Sequence, residues 1–439
     1  MRAVGVRGGG GNADALFIDD TVPDPVVKPG HILVGIKAFG LNRMDIMQRE
    51  AKYPYALLPE SGTIMGVEFS GMVIENGPNC TSNFKPGDRV FGLAYGGAYA
   101  EKISVSENML MHMPPHMTFE TVAGIPETYF TAIQALHLVG SLEKGQTVLI
   151  HAGASGVGQA LIQVARHGGA SKIWTTAGTD EKCALCRSLG ADVVVNYRSQ
   201  DFAEVIKKDT DGRGVDLIID LVGRDYWHKN MASAAKDSKM VLVAAMSGNM
   251  IENFNLRDLL NKRIWVLATT LRTRDSTYQR KLRDKFIELA MNPLAQGDMK
   301  ITVDKVYPWG QISDAHKRME ANVNAGKIIC TSQKGKNPGG RPKRAEYRDP
   351  KVQPYLLKTR ARALTLQEPG QQTSSLLLSL PPELRRRIYE DVLGHRKVHV
   401  VFEFGPQEYR TDIPKQSTYS TGPQPSTSPP ASSYAASHH

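Results

Sequence analysis

The sequence predicts an α/β protein: a doubly wound parallel sheet, with a mostly antiparallel β module drawn from chain on both sides of it. Three observations carry this. From Gly145 to Thr270, short β-branched apolar runs alternate with helix-compatible stretches. A glycine-rich turn, GASGVG at Gly153–Gly158, separates the first run from the first helical stretch. After Thr331 the composition shifts to polar, basic, Gly- and Pro-rich chain. Strand–helix alternation implies parallel strands with crossover helices, and uninterrupted apolar runs imply strands buried on both faces.

In chain order, "MRAVGVRGGG" reads as the start of a strand, because it lacks the long apolar core of a signal peptide. "HILVGIKAFGLN", "GTIMGVEFSGMVIENG" and "FKPGDRVFGLAYGGAYAEKISV" are short strands broken by glycines and by the Pro86-Gly87-Asp88 turn. They predict an antiparallel module over 1–124. Residues 125–268 carry "TVLIHA", "KIWTTA", "DVVVNY", "VDLIIDLVG", "KMVLVAA" and "RIWVLATT". These are the strands of a complete dinucleotide-binding fold. Residues 269–331 begin with a helix, "RDSTYQRKLRDKFIELAMNP", and return to a strand, a helix and a last strand, "GKIICT". This returning chain is expected to complete the β module. No internal repeat is present.

The remainder divides into a basic linker at 332–372, a helical island at 373–405 and a low-complexity tail at 406–439, largely disordered by composition. In the island, Pro381 and Pro382 open a helix, Leu384, Ile388 and Val392 share one face, and Gly394 is placed to end it.

Charge and cysteine content bound the function. The net charge is +10, but Lys334–His439 holds 17 Lys and Arg against 9 Asp and Glu. The body is near neutral, which argues against a nucleic-acid surface there. No run of eighteen apolar residues predicts a membrane span. Four cysteines (Cys80, Cys183, Cys186, Cys330) are too few for a disulfide scaffold, so a reducing, cytoplasmic setting is expected.

In the glycine turn, Gly153 is expected to permit the tight bend and Gly158 the close packing of helix on strand. The helix N-terminus then offers free N–H groups and a positive dipole end to a pyrophosphate. The strict G-x-G-x-x-G pattern has a glycine where Ser155 stands. Gly156 is expected to take over that close approach, with the Ser155 hydroxyl or N–H as an extra donor. A ligand-free turn is the alternative. A hydrolase elbow, G-x-S-x-G, is excluded by Val157. The second strand ends in Ala177-Gly178-Thr179 without the carboxylate that serves NAD. A small tip with Lys182 and Tyr197 nearby suits a 2′-phosphate, hence NADP(H). Lys182 as a plain exposed helix lysine is the competing view.

The segment Met1–Thr331 resembles the zinc-independent quinone oxidoreductases of the medium-chain dehydrogenase/reductase superfamily. These are relatives of zeta-crystallin, and the tumour-suppressor-induced subgroup matches best. The resemblance rests on "GLNRMDIMQREAKYP", "IMGVEFSGMV", "FKPGDRVFGL", "GGAYAEKISV", "AGIPETYFTAIQAL", "VLIHAGASGVGQALIQVAR", "TAGTDEKCALCRSLGAD", "VNYRSQDF" and "AHKRMEANVNAGKII", in family order. It implies a GroES-like β domain with an inserted Rossmann sheet, and often a homodimer. Two zinc-ligand positions of the zinc-dependent members are Asn42 and Val67 here, so no metal is expected. Cys183 and Cys186 read as helix cysteines. Gly153, Ala154, Ser155, Gly156, Val157 and Gly158 would hold the pyrophosphate. Gly178, Thr179, Lys182 and Tyr197 would surround the 2′-phosphate. The catalytic candidates Asn42, Asp45 and Tyr53 would lie by the nicotinamide and the substrate, with Leu271 and Arg272 beside them. Asn324 would approach from the other domain. Asn42 and Asp45 as simple helix caps, and Tyr53 as a packed loop aromatic, are the plainer alternatives.

The implied activity is hydride transfer from NADPH to a quinone or activated enone, with orientation and water exclusion supplied by the protein. Three other readings concern the tail. "SLLLSLPPELRRRIYEDVLGHRKVHVV" resembles the start of a fungal F-box-like module, which implies a protein partner at 373–405 and a sensor or adaptor role. "NPGGRPKR" is near an AT-hook core but has Gly339 in place of its first arginine. The tail can also be non-native sequence joined to the family pattern.

Overall fold

The computed structural model describes residues 1–53 and 62–332. The F-box-like island, the AT-hook-like stretch, the tail and all of the linker but Ser332 lie outside the described residues. The strands, in chain order, are β1 (Ala3–Val6), β2 (Leu16–Asp19), β3 (His31–Gly40), β4 (Glu68–Asn76), β5 (Arg89–Leu93), β6 (Lys102–Ser106), β7 (Leu110–His112), β8 (Thr147–Ile150), β9 (Lys172–Ala177), β10 (Val193–Asn196), β11 (Val215–Asp220), β12 (Ala234–Leu242), β13 (Trp265–Ala268), β14 (Val303–Pro308) and β15 (Lys327–Thr331).

Strands β8 to β13 form one sheet in the order β10-β9-β8-β11-β12-β13, parallel throughout. Its continuous apolar runs follow from burial on two faces. Val148, Ile150, Ile173, Leu217 and Ile219 enter the large core shared with the antiparallel lobe. Their neighbours Leu149, Trp174, Val195 and Ile218 enter a separate core with Phe202, Ile206 and Trp227 on the other side. The strand order reverses direction between β8 and β11, which opens a crevice at their carboxyl ends.

The second lobe is a sheet in the order β14-β15-β3-β4-β5-β7, with β6 also paired to β3. β15 runs antiparallel to β3 and parallel to β14. The last strand among the described residues thus sits inside a sheet that earlier strands began. The helices Asp180–Ser188, Ser276–Phe286 and Ile312–Glu320 occupy stretches predicted helical. This is the GroES-like plus Rossmann architecture. Among the described residues no helix is long and apolar enough to cross a membrane.

Trp174 is fully buried in the second core, and its indole N–H donates to Asp209 at 2.8 Å. Truncation leaves both a cavity and an unpartnered carboxylate oxygen. We expect Trp174→Ala to cost about 3–5 kcal/mol in urea unfolding; a loss under about 1 kcal/mol would contradict this packing.

Candidate active site

The turn after β8 is shaped by close approach. The left-handed residue of the turn is Ala152 (φ 53°). Gly153 is needed because a Cβ there would lie 2.2 Å from Thr175 Oγ1. Ser155 caps the helix Gly156–His167, its Oγ accepting from the Gly158 N–H at 3.0 Å. The Ser155 N–H closes the turn on the Ala152 carbonyl at 2.9 Å. Of the two Ser155 donors expected, only the hydroxyl remains. A Cβ on Gly158 would meet that same carbonyl at 2.2 Å, so the helix presses directly on the turn. The Ala154 carbonyl accepts from Gln159, and Val157 packs on the core.

At the tip of β9 a Cβ on Gly178 would lie 2.4 Å from the Tyr197 hydroxyl, so the phenol closes over a bare backbone. Thr179 caps the next helix through the Lys182 N–H. Asp180 is held by Asn196 at 2.9 Å. The Lys182 ammonium crosses to the other lobe and donates to the Asn322 carbonyl at 2.9 Å.

From the antiparallel lobe, Asn42 is the N-cap of the helix Arg43–Arg49, and its backbone N–H donates to the Asp45 carboxylate at 2.8 Å. The Asn42 side chain donates to Glu68 Oε1 at 2.9 Å and accepts from Lys327 Nζ at 2.7 Å. Lys327 completes the cluster with an ion pair to Glu68 Oε1 at 2.5 Å and a hydrogen bond to the Leu41 carbonyl at 2.8 Å. Its stem lies against the glycine turn, 3.0 Å from where a Cβ on Gly156 would stand. The other Glu68 oxygen accepts from the Glu127 N–H at 2.9 Å.

Asp45 is fully buried and receives the Tyr99 hydroxyl at 3.0 Å. Behind it stands His316, kept neutral by burial and by the Arg49 cation, with its pKa lowered to about 3. Its Nδ1 accepts from Arg49 at 3.3 Å, which assigns the proton to Nε2, facing Tyr99. Burial pushes the Asp45 carboxyl up to about 6, against the lowering pull of Asn42, Tyr99, Arg272 and Lys327. Glu127 is pushed up to about 8 by burial and then by the Glu68 charge.

Arg272, 5% exposed, donates to the Tyr95 carbonyl at 2.8 Å and to Gln48 at 2.7 Å, and its guanidinium lies over the Tyr53 ring at 5.3 Å. Among the described residues its Nη2 is buried without a partner, as is Asp45 Oδ1. Leu271 is buried beside it, and Asn324 turns its amide onto the Gly326 carbonyl. The structure therefore sets Asn42 and Asp45 at the start of the helix Arg43–Arg49, and Arg272, with Tyr53 under it, toward its other end, and links Asn42 through Lys327 to the glycine turn. Cys183 and Cys186 are buried helix cysteines, with the Cys186 thiol pushed up to about 12 by burial.

Glu68, Lys327, Glu127, Tyr99 and His316 were missed by sequence reasoning. A signal exists for the first pair. Each is a charge heading a strand whose next three residues are buried, and a buried charge requires a partner.

A parallel dinucleotide sheet interrupting an antiparallel lobe, with a capped glycine turn at the point of strand reversal, defines a two-lobe dehydrogenase or reductase. Two family models match: an alcohol dehydrogenase GroES-like domain at residues 28–115 and a zinc-binding dehydrogenase domain at 156–287. A quinone oxidoreductase-like protein 2 from Bos taurus is 30% identical over 72% of this chain and 89% of its own length. Part of a reducing polyketide synthase of Metacordyceps chlamydosporia is also 30% identical, over 73% of this chain but 13% of that protein. The Escherichia coli quinone oxidoreductase solved with NADPH superposes with a TM-score of 0.66 at 28% identity, over 75% of this chain and all of that one. The chain belongs to the medium-chain dehydrogenase/reductase superfamily, among its quinone oxidoreductase-like members.

In the folded chain Glu127 keeps its proton to about pH 8, against an ordinary value of 4.5. The folded state thus binds more protons across that window, and stability falls as pH rises through it. We expect Glu127→Gln to gain thermal stability relative to the parent steadily between pH 5 and pH 8.5. A pH-independent difference in Tm would rule this out.

Proposed function

We propose that this chain is a zinc-independent reductase that transfers a hydride from NADPH to a quinone or an activated enone. It is a reductase, and its cofactor is NADP(H). The single observation that carries the zinc-free reading is the Asn42–Glu68–Lys327 cluster. Both ends of the Asn42 amide and both Glu68 oxygens are engaged by protein groups, and Val67 is buried and apolar. A zinc ion finds no free donor set there and would face the Lys327 ammonium, so zinc does not fit and no step runs through it.

The residues present do fit NADP(H). Gly153–Gly158 would hold the pyrophosphate, and Gly178, Thr179, Lys182 and Tyr197 the 2′-phosphate. The partnerless Arg272 Nη2 marks where a polar group is wanted. The nicotinamide supplies the hydride when bound. Asn42, Asp45, Tyr53, Leu271, Arg272 and Asn324 would frame the nicotinamide and the acceptor. Arg272 would donate to the acceptor oxygen as negative charge develops on it, and Tyr53 under its guanidinium would fix its position. The proton that completes reduction would come from Tyr53 or solvent. The similarity to a stretch of a reducing polyketide synthase keeps an activated C=C beside the quinone as acceptor.

Two further parts of the proposal concern context. Among the described residues β13 is an edge strand with Trp265 62% exposed, and the helix Leu256–Lys262 before it leaves Leu256 and Leu260 exposed, with Met250 nearby in the chain. An apolar, unpaired edge of this kind fits a second copy pairing across it. A cytoplasmic setting agrees with four free cysteines.

Tryptophan quenching should give tighter binding of NADPH than of NADH, with Lys182→Gln removing most of the difference, and NADPH oxidation by a quinone panel should persist in EDTA. Turnover that appears only with added zinc overturns the reading. Trp265→Asp should convert a dimer to a monomer by light scattering; a parent already monomeric at micromolar concentration would refute the edge pairing.

A further inference from the structure

We propose that Arg43 is a second cation for the 2′-phosphate, closing on it from the antiparallel lobe opposite Lys182, and so helps set the preference for NADPH over NADH. The inference rests on the reading of the Gly178–Lys182–Tyr197 cradle as the 2′-phosphate subsite.

The observation is a meeting of two cations on one residue. Asn322 follows the helix Ile312–Glu320 and stands in the left-handed conformation (φ 56°). Its backbone carbonyl receives the Lys182 ammonium from the dinucleotide lobe at 2.9 Å. Its side-chain oxygen receives the Arg43 guanidinium from its own lobe. The two charges are thus brought together beside the cradle, each on a neutral amide oxygen. Among the described residues neither is ion-paired to a carboxylate. The carboxylates on that side are each directly paired with another arginine, Glu320 with Arg49 and Asp304 with Arg318, and act on Arg43 and Lys182 only at longer range.

Two like charges drawn to one neutral residue repel each other, and an amide dipole compensates that weakly. A phosphate monoester carries a charge of about −1.5 to −2 at pH 7, more than one lysine neutralises, and it offers three acceptor oxygens. A guanidinium suits such a group through paired N–H donors, where an ammonium acts as a point charge. The Asn322 oxygens occupy the place in the hydrogen-bond pattern that phosphate oxygens would take. The arrangement also explains why Arg43 reaches away from its own helix. It is the first residue after the Asn42 cap, and its charge gains nothing at a helix N-terminus.

The test uses the full chain with 2′,5′-ADP, 5′-AMP, NADPH and NADH as calorimetric probes. We expect Arg43→Gln to weaken 2′,5′-ADP and NADPH by about tenfold and to leave 5′-AMP and NADH within about twofold. Arg43→Lys should recover part of the loss, which separates lost charge from a disturbed fold. Unchanged 2′,5′-ADP binding in Arg43→Gln, alongside a loss in Lys182→Gln, would overturn the role of Arg43 and leave the cradle standing. An equal loss for the probes with and without the 2′-phosphate would overturn it as well. If neither substitution alters the preference, the cradle reading itself fails.

Discussion

The Lys327–Glu68 ion pair is the constraint on which the rest of the site depends. Both partners are buried, so each is costly without the other. Their positions at the starts of β15 and β4 tie a late strand to one of the first. Asn42 joins the pair through both ends of its amide, which sets the start of the helix that carries Arg43, Asp45 and Gln48. The lysine stem then leans on Gly156. One ammonium therefore registers that helix, two strands and the glycine turn against one another.

A second polar layer backs this one. Arg49 fixes the tautomer of His316, His316 faces Tyr99, and Tyr99 donates to Asp45. Every member has a buried partner except Asp45 Oδ1. Asp45 acts in this frame as a positioning group: it holds the Asn42 N–H and, with the Arg272 charge nearby, ties the helix start to the residue whose free Nη2 stands by Tyr53. Among the described residues Arg272 Nη2 is an orphaned donor and Asp45 Oδ1 an orphaned acceptor, together the complement of a group bearing both an oxygen and an N–H or O–H.

The architecture is legible in the sequence because its signals are local. Continuous β-branched runs report burial on both faces, and the two cores on either side of the parallel sheet are the physical reason. The glycine turn is legible as a turn, but its details are not. The left-handed residue is Ala152, and the Gly153 requirement comes from Thr175, twenty-two residues away in sequence and adjacent only once β8 and β9 pair. The Glu68–Lys327 pair, and the meeting of Arg43 and Lys182 on Asn322, span long stretches of chain. Only the oddity of a charge at the head of a buried strand segment marks the first in advance. The convergence on Asn322 leaves no mark in the sequence, since Arg43 and Lys182 both look like ordinary exposed helix cations.

The insertion of β15 between β14 and β3 has a consequence for how the molecule comes into being. During synthesis the strands from β1 to β7 emerge first, then a dinucleotide lobe whose sheet is contiguous in sequence and free to fold as a unit. Through all of that time the nascent antiparallel lobe holds Glu68 without its cation and β3 with an open edge. The antiparallel lobe thus waits on β15, and the dinucleotide lobe can close before the lobe whose strands precede it.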